Sequence, residues 1–188
     1  DKKLVASDTL VFGKRWPEKI SIAGIAVDDD KQMLYTVTKE NNSLYVYDLK
    51  AKKVKSQFPL GGEGYTCLLA NNGKMLYLTC WGCDKVLLFD TQKQVISGWI
   101  PVGDNPNDMC ITKNDKYLFV SNANDNSVSV ISLEQKRVIE ILNSAIYPDS
   151  PSGSTTNSLA LSDDEKTLYI ANADNNCLAL FDVSVARK

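Results

Sequence analysis

The chain has 188 residues, of which 44% are hydrophobic and 23% are charged, and its net charge is -2. This composition is typical of a globular protein, the weak negative charge argues against nucleic-acid binding, and no apolar run approaches the roughly 18 residues of a transmembrane segment. The absence of histidine excludes Ser-His-Asp triads and histidine-based metal sites within the chain. Residues 1–10 lack the apolar segment of a secretory signal, so we expect any such signal to be absent or already removed.

The chain consists of four similar units. The runs that begin at Leu34 (LYTVTKENNSLYVYD), Leu76 (LYLTCWGCDKVLLFD) and Leu118 (LFVSNANDNSVSVIS) are 42 residues apart, and a fourth run (LYIANADNNCLALFD) begins 50 residues later, at Leu168. A period of this length is the signature of a repeat architecture. We assign the units to residues 21–62, 63–104, 105–154 and 155–188, and we interpret residues 1–20 as one or two outer strands of a preceding unit.

Each unit is predicted to contain four short strands, because Val, Ile, Leu and Tyr alternate with polar residues between polar turns. In chain order the strands are expected at residues 21–27, 33–38, 44–48 and 54–60, then 65–70, 75–80, 86–90 and 95–102, then 109–112, 117–122, 127–132 and 138–142, then 158–162, 167–172 and 177–183. The last unit lacks a fourth strand. Repeated four-stranded antiparallel sheets predict an all-β fold, the β-propeller, in which each sheet is one blade.

The phrases FVSNANDNSVSVIS and IPVGDNP resemble the YVTN repeat of YncE-like β-propellers. The segment TTNSLALSDDEKTLYIANADNNCLALFDVS resembles the propeller region of bacterial proteins that join such a propeller to an alkaline-phosphatase-like phosphoesterase. This resemblance implies a ring of about seven blades and a periplasmic or cell-surface location. Since about four and a half blades are present, we expect a fragment of a larger ring. The alternatives are a closed four-bladed ring completed by the first strand, and two chains that associate as half-rings.

The links between blades share one face of the propeller with the turns between second and third strands, and this face varies most between units. Its polar residues near the central channel are the candidate ligand-binding or partner-binding residues, together with an aromatic side chain on a turn: Trp81, Asp104, Asn105, Asn107, Asp108, Thr156 and Asn157. Such groups suit a hydrated cation or a small polar ligand, although Asn, Asp and Gly also occur simply to form turns. Trp81 either packs on its turn or offers a stacking surface. No calcium-binding loop, metal site, cofactor site or catalytic residue is predicted.

The motif Cys80-Trp81-Gly82-Cys83 admits three interpretations. The two cysteines are a redox or metal half-site, a local disulfide, or unpaired structural thiols. Both fall at positions that hold Thr or Asn in other units, and no helix starts there as in a thioredoxin-like site. Five cysteines cannot all pair within one molecule.

The Pro- and Ser-rich insertion at residues 145–154 is either a lip that binds a partner or a variable surface loop. The functional hypothesis is a non-catalytic binding or scaffolding module of a larger exported protein, with a protein or small polar ligand as its partner. Two alternatives follow from the resemblance. The first is an auxiliary propeller of a metal-dependent phosphoesterase whose catalytic domain lies outside this chain. The second is a lactonase-like propeller enzyme.

Overall fold

The computed structural model describes residues 7–14, 19–147, 151 and 155–184, and it confirms the predicted all-β propeller fold. Its strands form four antiparallel sheets in which neighbours in sequence are neighbours in space. The first sheet contains β1 (Ile22–Asp28), β2 (Met33–Thr38), β3 (Ser43–Asp48) and β4 (Lys53–Pro59), and the second β5 (Glu63–Leu69), β6 (Met75–Trp81), β7 (Lys85–Asp90) and β8 (Val95–Pro101). The third contains β9 (Pro106–Ile111), β10 (Tyr117–Asn122), β11 (Ser127–Ser132) and β12 (Arg137–Asn143), and the fourth β13 (Thr156–Leu161), β14 (Thr167–Asn172) and β15 (Cys177–Asp182). A short 3-10 helix (Ala173–Asn175) connects β14 to β15.

The sheets are held together by apolar side chains on both of their faces. Residues that alternate along the central strands point to opposite sides, so one set meets the preceding sheet and the other meets the following sheet. Between the first and second sheets, Tyr35, Leu44 and Val46 pack against Leu76, Leu78 and Phe89. Between the second and third, Tyr77, Val86 and Leu88 pack against Leu118, Val120 and Ile131. Between the third and fourth, Phe119, Val128 and Val130 pack against Leu168, Ile170 and Phe181. The core is therefore three layers between four sheets.

The innermost strands β1, β5, β9 and β13 lie side by side around the channel. They approach closely: a Cβ placed on Gly24 of β1 would lie 2.4 Å from the Cα of Thr66 in β5. Each of these strands has a break in its pairing register, between Ile22 and Ile25 in β1 and at the equivalent place in the others. These β-bulges take two residues out of the ladder in β1, β5 and β9 and one in β13, and they turn these residues toward the channel.

Two asparagines attach the links between sheets to the ends of strands. The Gly103 N–H donates to the Oδ1 of buried Asn122 (3.2 Å), and the Asn172 Nδ2 donates to the Ser144 carbonyl (2.6 Å). On the opposite side of the propeller, successive turns are joined by bonds such as that from Lys31 Nζ to the Gly73 carbonyl (2.6 Å). The sheets are thus bonded to one another at both edges of each apolar layer.

One or two outer strands were predicted within residues 1–20, of which the structure describes residues 7–14, 19 and 20. Residues 7–14 form no strand, and Phe12 packs instead on the rings of Tyr45 and Tyr47, with centroid distances of 5.7 and 5.5 Å. Within the described residues the fourth sheet has three strands, and residues 7–14 do not complete it. A strand needs a neighbour for its N–H and C=O groups, and this segment has apolar contacts but no ladder partner.

The substitution Asn122→Ala is expected to destabilise the fold. The Asn122 amide is fully buried, and it bonds Gly103 N–H and the hydroxyls of Ser127 and Ser129. Its loss leaves buried polar groups without partners, at a cost of about 1–3 kcal/mol. Urea unfolding measures the change, and Asn124→Ala is the control because the Asn124 side chain is exposed. Equal stability of the two variants would contradict this role.

Candidate functional site

The bulges of the innermost strands line one cavity at the mouth of the channel. The cavity has a volume of about 540 Å³ and opens on the face predicted to vary between units. Its walls come from equivalent positions of the four sheets, at Ala23, Tyr65, Asn107 and Asn157 and at the residues that follow them. The repeat therefore supplies the same backbone four times, while the side chains differ.

One wall of the cavity is aromatic and carries a positive charge. The Lys39 ammonium lies 4.2 Å from the centre of the Tyr65 ring and 5.8 Å from that of Trp81. The two rings are tilted against each other with centroids 6.1 Å apart. Attraction to the ring faces holds the ammonium in place, and among the described residues no carboxylate lies within 4 Å of it. This wall suits an anionic group on a partly apolar ligand.

The opposite wall is polar and is fixed by hydrogen bonds between sheets. Asp108 Oδ2 accepts from the Ser158 hydroxyl (2.7 Å) and from the Leu159 N–H (2.9 Å). Asn107 Nδ2 donates to Asn157 Oδ1 (3.3 Å), and the Asn107 carbonyl accepts from the Thr79 hydroxyl (3.0 Å). These bonds connect the second, third and fourth sheets around the channel.

The structure brings together some of the residues predicted from sequence. Asn107, Asp108 and Asn157 line the cavity, and Trp81 packs on Tyr65 beside it. Of these side chains, Asn157 is exposed, whereas Asn107 is almost fully buried.

Asp104, Asn105 and Thr156 lie elsewhere, which corrects their expected place at the channel mouth. The Asp104 N–H donates to Asp125 Oδ2 (2.6 Å), and Asn105 Oδ1 accepts from the Gly82 N–H (3.2 Å), so both belong to turn contacts between the second and third sheets. Asn105 also has a positive φ of 53°, which its short polar side chain tolerates in a turn. Thr156 is fully buried and shares a hydrogen bond with the Ser144 hydroxyl.

Lys39 and Tyr65 are site residues that the sequence prediction missed. Lys39 occupies the repeat position of Trp81, whereas the third and fourth units have Ala123 and Ala173 there. Comparison of this one position across units was the available signal. Tyr65 was interpreted as the start of an ordinary strand, because alternation alone does not reveal that it lies in a bulge.

The cysteines of the turn are free thiols in this structure, as are Cys67, Cys110 and Cys177. Among the described residues, no three or more Cys, Asp or Glu side chains are grouped so as to hold a metal ion. No helix in that part of the chain is long and apolar enough to cross a membrane. The insertion predicted at residues 145–154 lies largely outside the described residues.

Comparison with known proteins places these features in a family. Residues 66–188 match the family described as "Lactonase, 7-bladed beta-propeller". Antigen Lp49 of Leptospira interrogans is 27% identical over 103 residues, which cover 47% of this chain and 23% of that protein. Hydrazine synthase of Kuenenia stuttgartiensis has a similar fold, with a TM-score of 0.76 and 18% identity, over 93% of this chain and 50% of that one. The chain thus spans no more than half the length of either relative.

The substitution Asp108→Ala is expected to weaken the junction of the third and fourth sheets. It removes the acceptor of the Leu159 N–H and the Ser158 hydroxyl, and the predicted loss of stability is about 1–3 kcal/mol. Asp104→Ala is the matched control, because the Asp104 contact to Asp125 uses the backbone N–H alone. Denaturant unfolding compares the two, and an effect of Asp104→Ala as large as that of Asp108→Ala would refute the assignment.

Proposed function

The chain belongs to the family described as lactonase, 7-bladed beta-propeller, and on this premise we propose that it is the ligand-binding part of such a ring. The proposal rests on the cavity, which is lined by the bulges of neighbouring sheets, each with different side chains. A purely structural channel would need no lysine held over two aromatic rings, since a charge in that place must be partly desolvated. Binding is the function that this arrangement supports best.

The side chains indicate the chemical class of the ligand. The Lys39 ammonium matches a carboxylate or phosphate, the faces of Tyr65 and Trp81 match an apolar edge, and the exposed Asn157 amide and Ser158 hydroxyl match hydroxyl or carbonyl groups. A small hydroxylated carboxylate carries all three features. We therefore expect a molecule of this class, such as a sugar acid, to bind with its anionic group toward the first sheet.

Binding is tested by calorimetry with gluconate as the probe, using the native chain and Lys39→Ala. Loss of one charge-assisted hydrogen bond costs about 1.5–3 kcal/mol, which corresponds to roughly a 10- to 100-fold rise in Kd. Lys55→Ala is the control, because Lys55 is exposed on β4, away from the cavity. Equal affinity of the Lys39 and Lys55 variants, or no binding at all, would refute this ligand class.

Lactone hydrolysis is the second candidate, and the family description favours it. Opening a lactone requires a base that activates water, and Asp108 is the carboxylate that lines the cavity. Both of its oxygens already accept hydrogen bonds, Oδ1 from the Met109 N–H (2.9 Å) and Oδ2 from the fourth sheet. These three bonds occupy most of the acceptor positions of the carboxylate, which supports binding without hydrolysis.

Acid release from a δ-lactone, followed in a pH-stat, distinguishes the two candidates. We expect no rate above the buffer background from the native chain. A rate that is lost in Asp108→Asn, while gluconate still binds, would establish a lactonase and overturn the non-catalytic proposal. An equal rate in both proteins would point to a base other than Asp108.

We also propose that further sheets cover the fourth sheet in the complete ring. Tyr169, Leu178 and Leu180 are 39%, 65% and 60% exposed, whereas Phe119, Val128 and Val130, their equivalents in the third sheet, are 2%, 0% and 1% exposed. An apolar face of this kind marks an interaction surface. In a longer protein, Leu180→Asp is expected to lower the stability by several kcal/mol, the same effect that we expect of Val130→Asp in the buried third sheet. A change below about 0.5 kcal/mol, typical of an exposed site, would contradict the proposal.

We also propose, on the basis of resemblance, where the protein is located and which domain accompanies the propeller. An exported location is supported by the similarity to a protein named as an antigen. A phosphoesterase domain elsewhere in the polypeptide is the further prediction. Phosphate release by the longer protein, lost on chelation of divalent metals while gluconate binding persists, would support it.

A further inference from the structure

Two thiols meet at the turn that carries Trp81. Cys80 lies near the end of β6, and the Cys83 N–H donates to the Cys80 carbonyl (3.2 Å), which closes a four-residue turn. Gly82 provides the positive φ of 72° that this turn requires. The first and fourth Cα atoms of such a turn lie within about 7 Å of each other, close to the span of about 4.4–6.8 Å that a disulfide bridges.

The two sulfur atoms face the same glycine of the neighbouring link. A Cβ placed on Gly62 would lie 2.0 Å from the Sγ of Cys83 and 2.8 Å from the Sγ of Cys80. The two sulfurs are therefore at most about 4.8 Å apart, the sum of these distances. Any side chain at position 62 would occupy the space in which they meet. A disulfide requires a movement of the Cys83 side chain that shortens this separation to about 2.05 Å.

The environments of the two thiols assign them different roles. Cys80 is fully buried, whereas Cys83 is half-buried. Burial raises the pKa of Cys80 to about 12, and the hydrogen bond with Cys83 and its charge add to this effect. A small disulfide in solution therefore meets Cys83 first, and Cys80 completes the reaction from inside.

We propose that Cys80 and Cys83 form a reversible disulfide by exchange with a small-molecule disulfide. The Cys83 thiolate attacks one sulfur of the reagent, so that a mixed disulfide forms and one thiolate leaves. Cys80 then loses its proton and attacks the Cys83 sulfur, which expels the second half of the reagent as a thiolate. In total the protein loses two protons and two electrons; the protons pass through solvent to the two released thiolates, so that the reagent leaves as two thiols.

The bond closes the turn that presents Trp81 to the channel mouth. Trp81 is the residue after Cys80, and its ring packs on Tyr65 beneath Lys39. The disulfide restricts the conformation of this turn alone. The other cysteines lie in other strands: Cys67 in β5, Cys110 in β9 and Cys177 in β15. The aromatic wall of the cavity thus becomes sensitive to the redox state of its surroundings.

The proposal is tested with the native protein equilibrated in glutathione disulfide and then unfolded in iodoacetamide. Trypsin releases both cysteines in one peptide, residues 75–85, because Lys74 precedes it and Lys85 ends it. We expect this peptide to escape alkylation and to have a mass two hydrogen atoms below that of the reduced, unalkylated peptide. The number of alkylated thiols in the protein then falls from five to three. Dithiothreitol is expected to restore all five. Alkylation of both cysteines after oxidation would overturn the proposal.

Two variants define the order of the steps. Cys80→Ser is expected to retain glutathione on Cys83, and a lack of any adduct would overturn the role of Cys83 as the first nucleophile. Cys83→Ser is expected to lose no thiol at Cys80 under the same conditions. Cys177→Ser is the matched control, since Cys177 is also half-buried but lies in the fourth sheet, and the loss of two thiols should persist in it. A stable glutathione adduct on native Cys83, without a bond to Cys80, would likewise overturn the proposal.

Discussion

The structure depends on a single constraint: every sheet has two apolar faces, and each face must be buried by a neighbouring element, which between the four sheets is the next sheet. Leu44, Val86 and Val128 occupy one repeat position and are fully buried, whereas Leu178, at the same position in the fourth sheet, is 65% exposed. Four sheets in a row bury three layers and leave two outer faces. On the first of these, Phe12 covers Tyr45 and Tyr47. Stability in such an array is a property of interfaces more than of single units.

The same stacking creates the cavity. Sheets that pack face to face bring their innermost strands together, and at Gly24 the approach leaves no room for a side chain. Gly24 itself lies in a bulge, and the backbone groups that the bulges take out of the ladder find partners among hydroxyls of the adjacent strand. The Thr36 hydroxyl donates to the Gly24 carbonyl (2.9 Å), and the Asp108 N–H donates to the Ser121 hydroxyl (3.0 Å). Polar residues near the channel are thereby fixed in position before any ligand arrives.

The sequence predicts the fold more completely than the site. Strands and sheets follow from the alternation of apolar and polar residues and from a register that repeats every 42 residues in the first three units. Each of these two signals is spread over many residues, so a single irregular position does not hide it. The side-chain directions at Tyr65 and Asn107 depend on a single bulge, which shifts the alternation locally and leaves no trace in the hydrophobic pattern. Thr156 and Asn105 were instead predicted as site residues and are not, because residue types that suit a ligand are equally suited to a buried hydrogen bond or a turn. One or two outer strands were predicted within residues 1–20, but the described residues 7–14 form none, because a strand requires a partner.

Function in a repeat array arises where the units differ, and one position illustrates this. Lys39 and Trp81 stand where the third and fourth units have Ala123 and Ala173, so the large side chains gather on one side of the channel mouth. On the other side of the cavity Asn157 and Ser158 are exposed. A symmetric ring of identical units would bind a ligand in several equivalent orientations. For the ligand proposed above, the unequal walls would favour a single orientation, with the anionic group toward the first sheet and the hydroxyl groups toward the third and fourth.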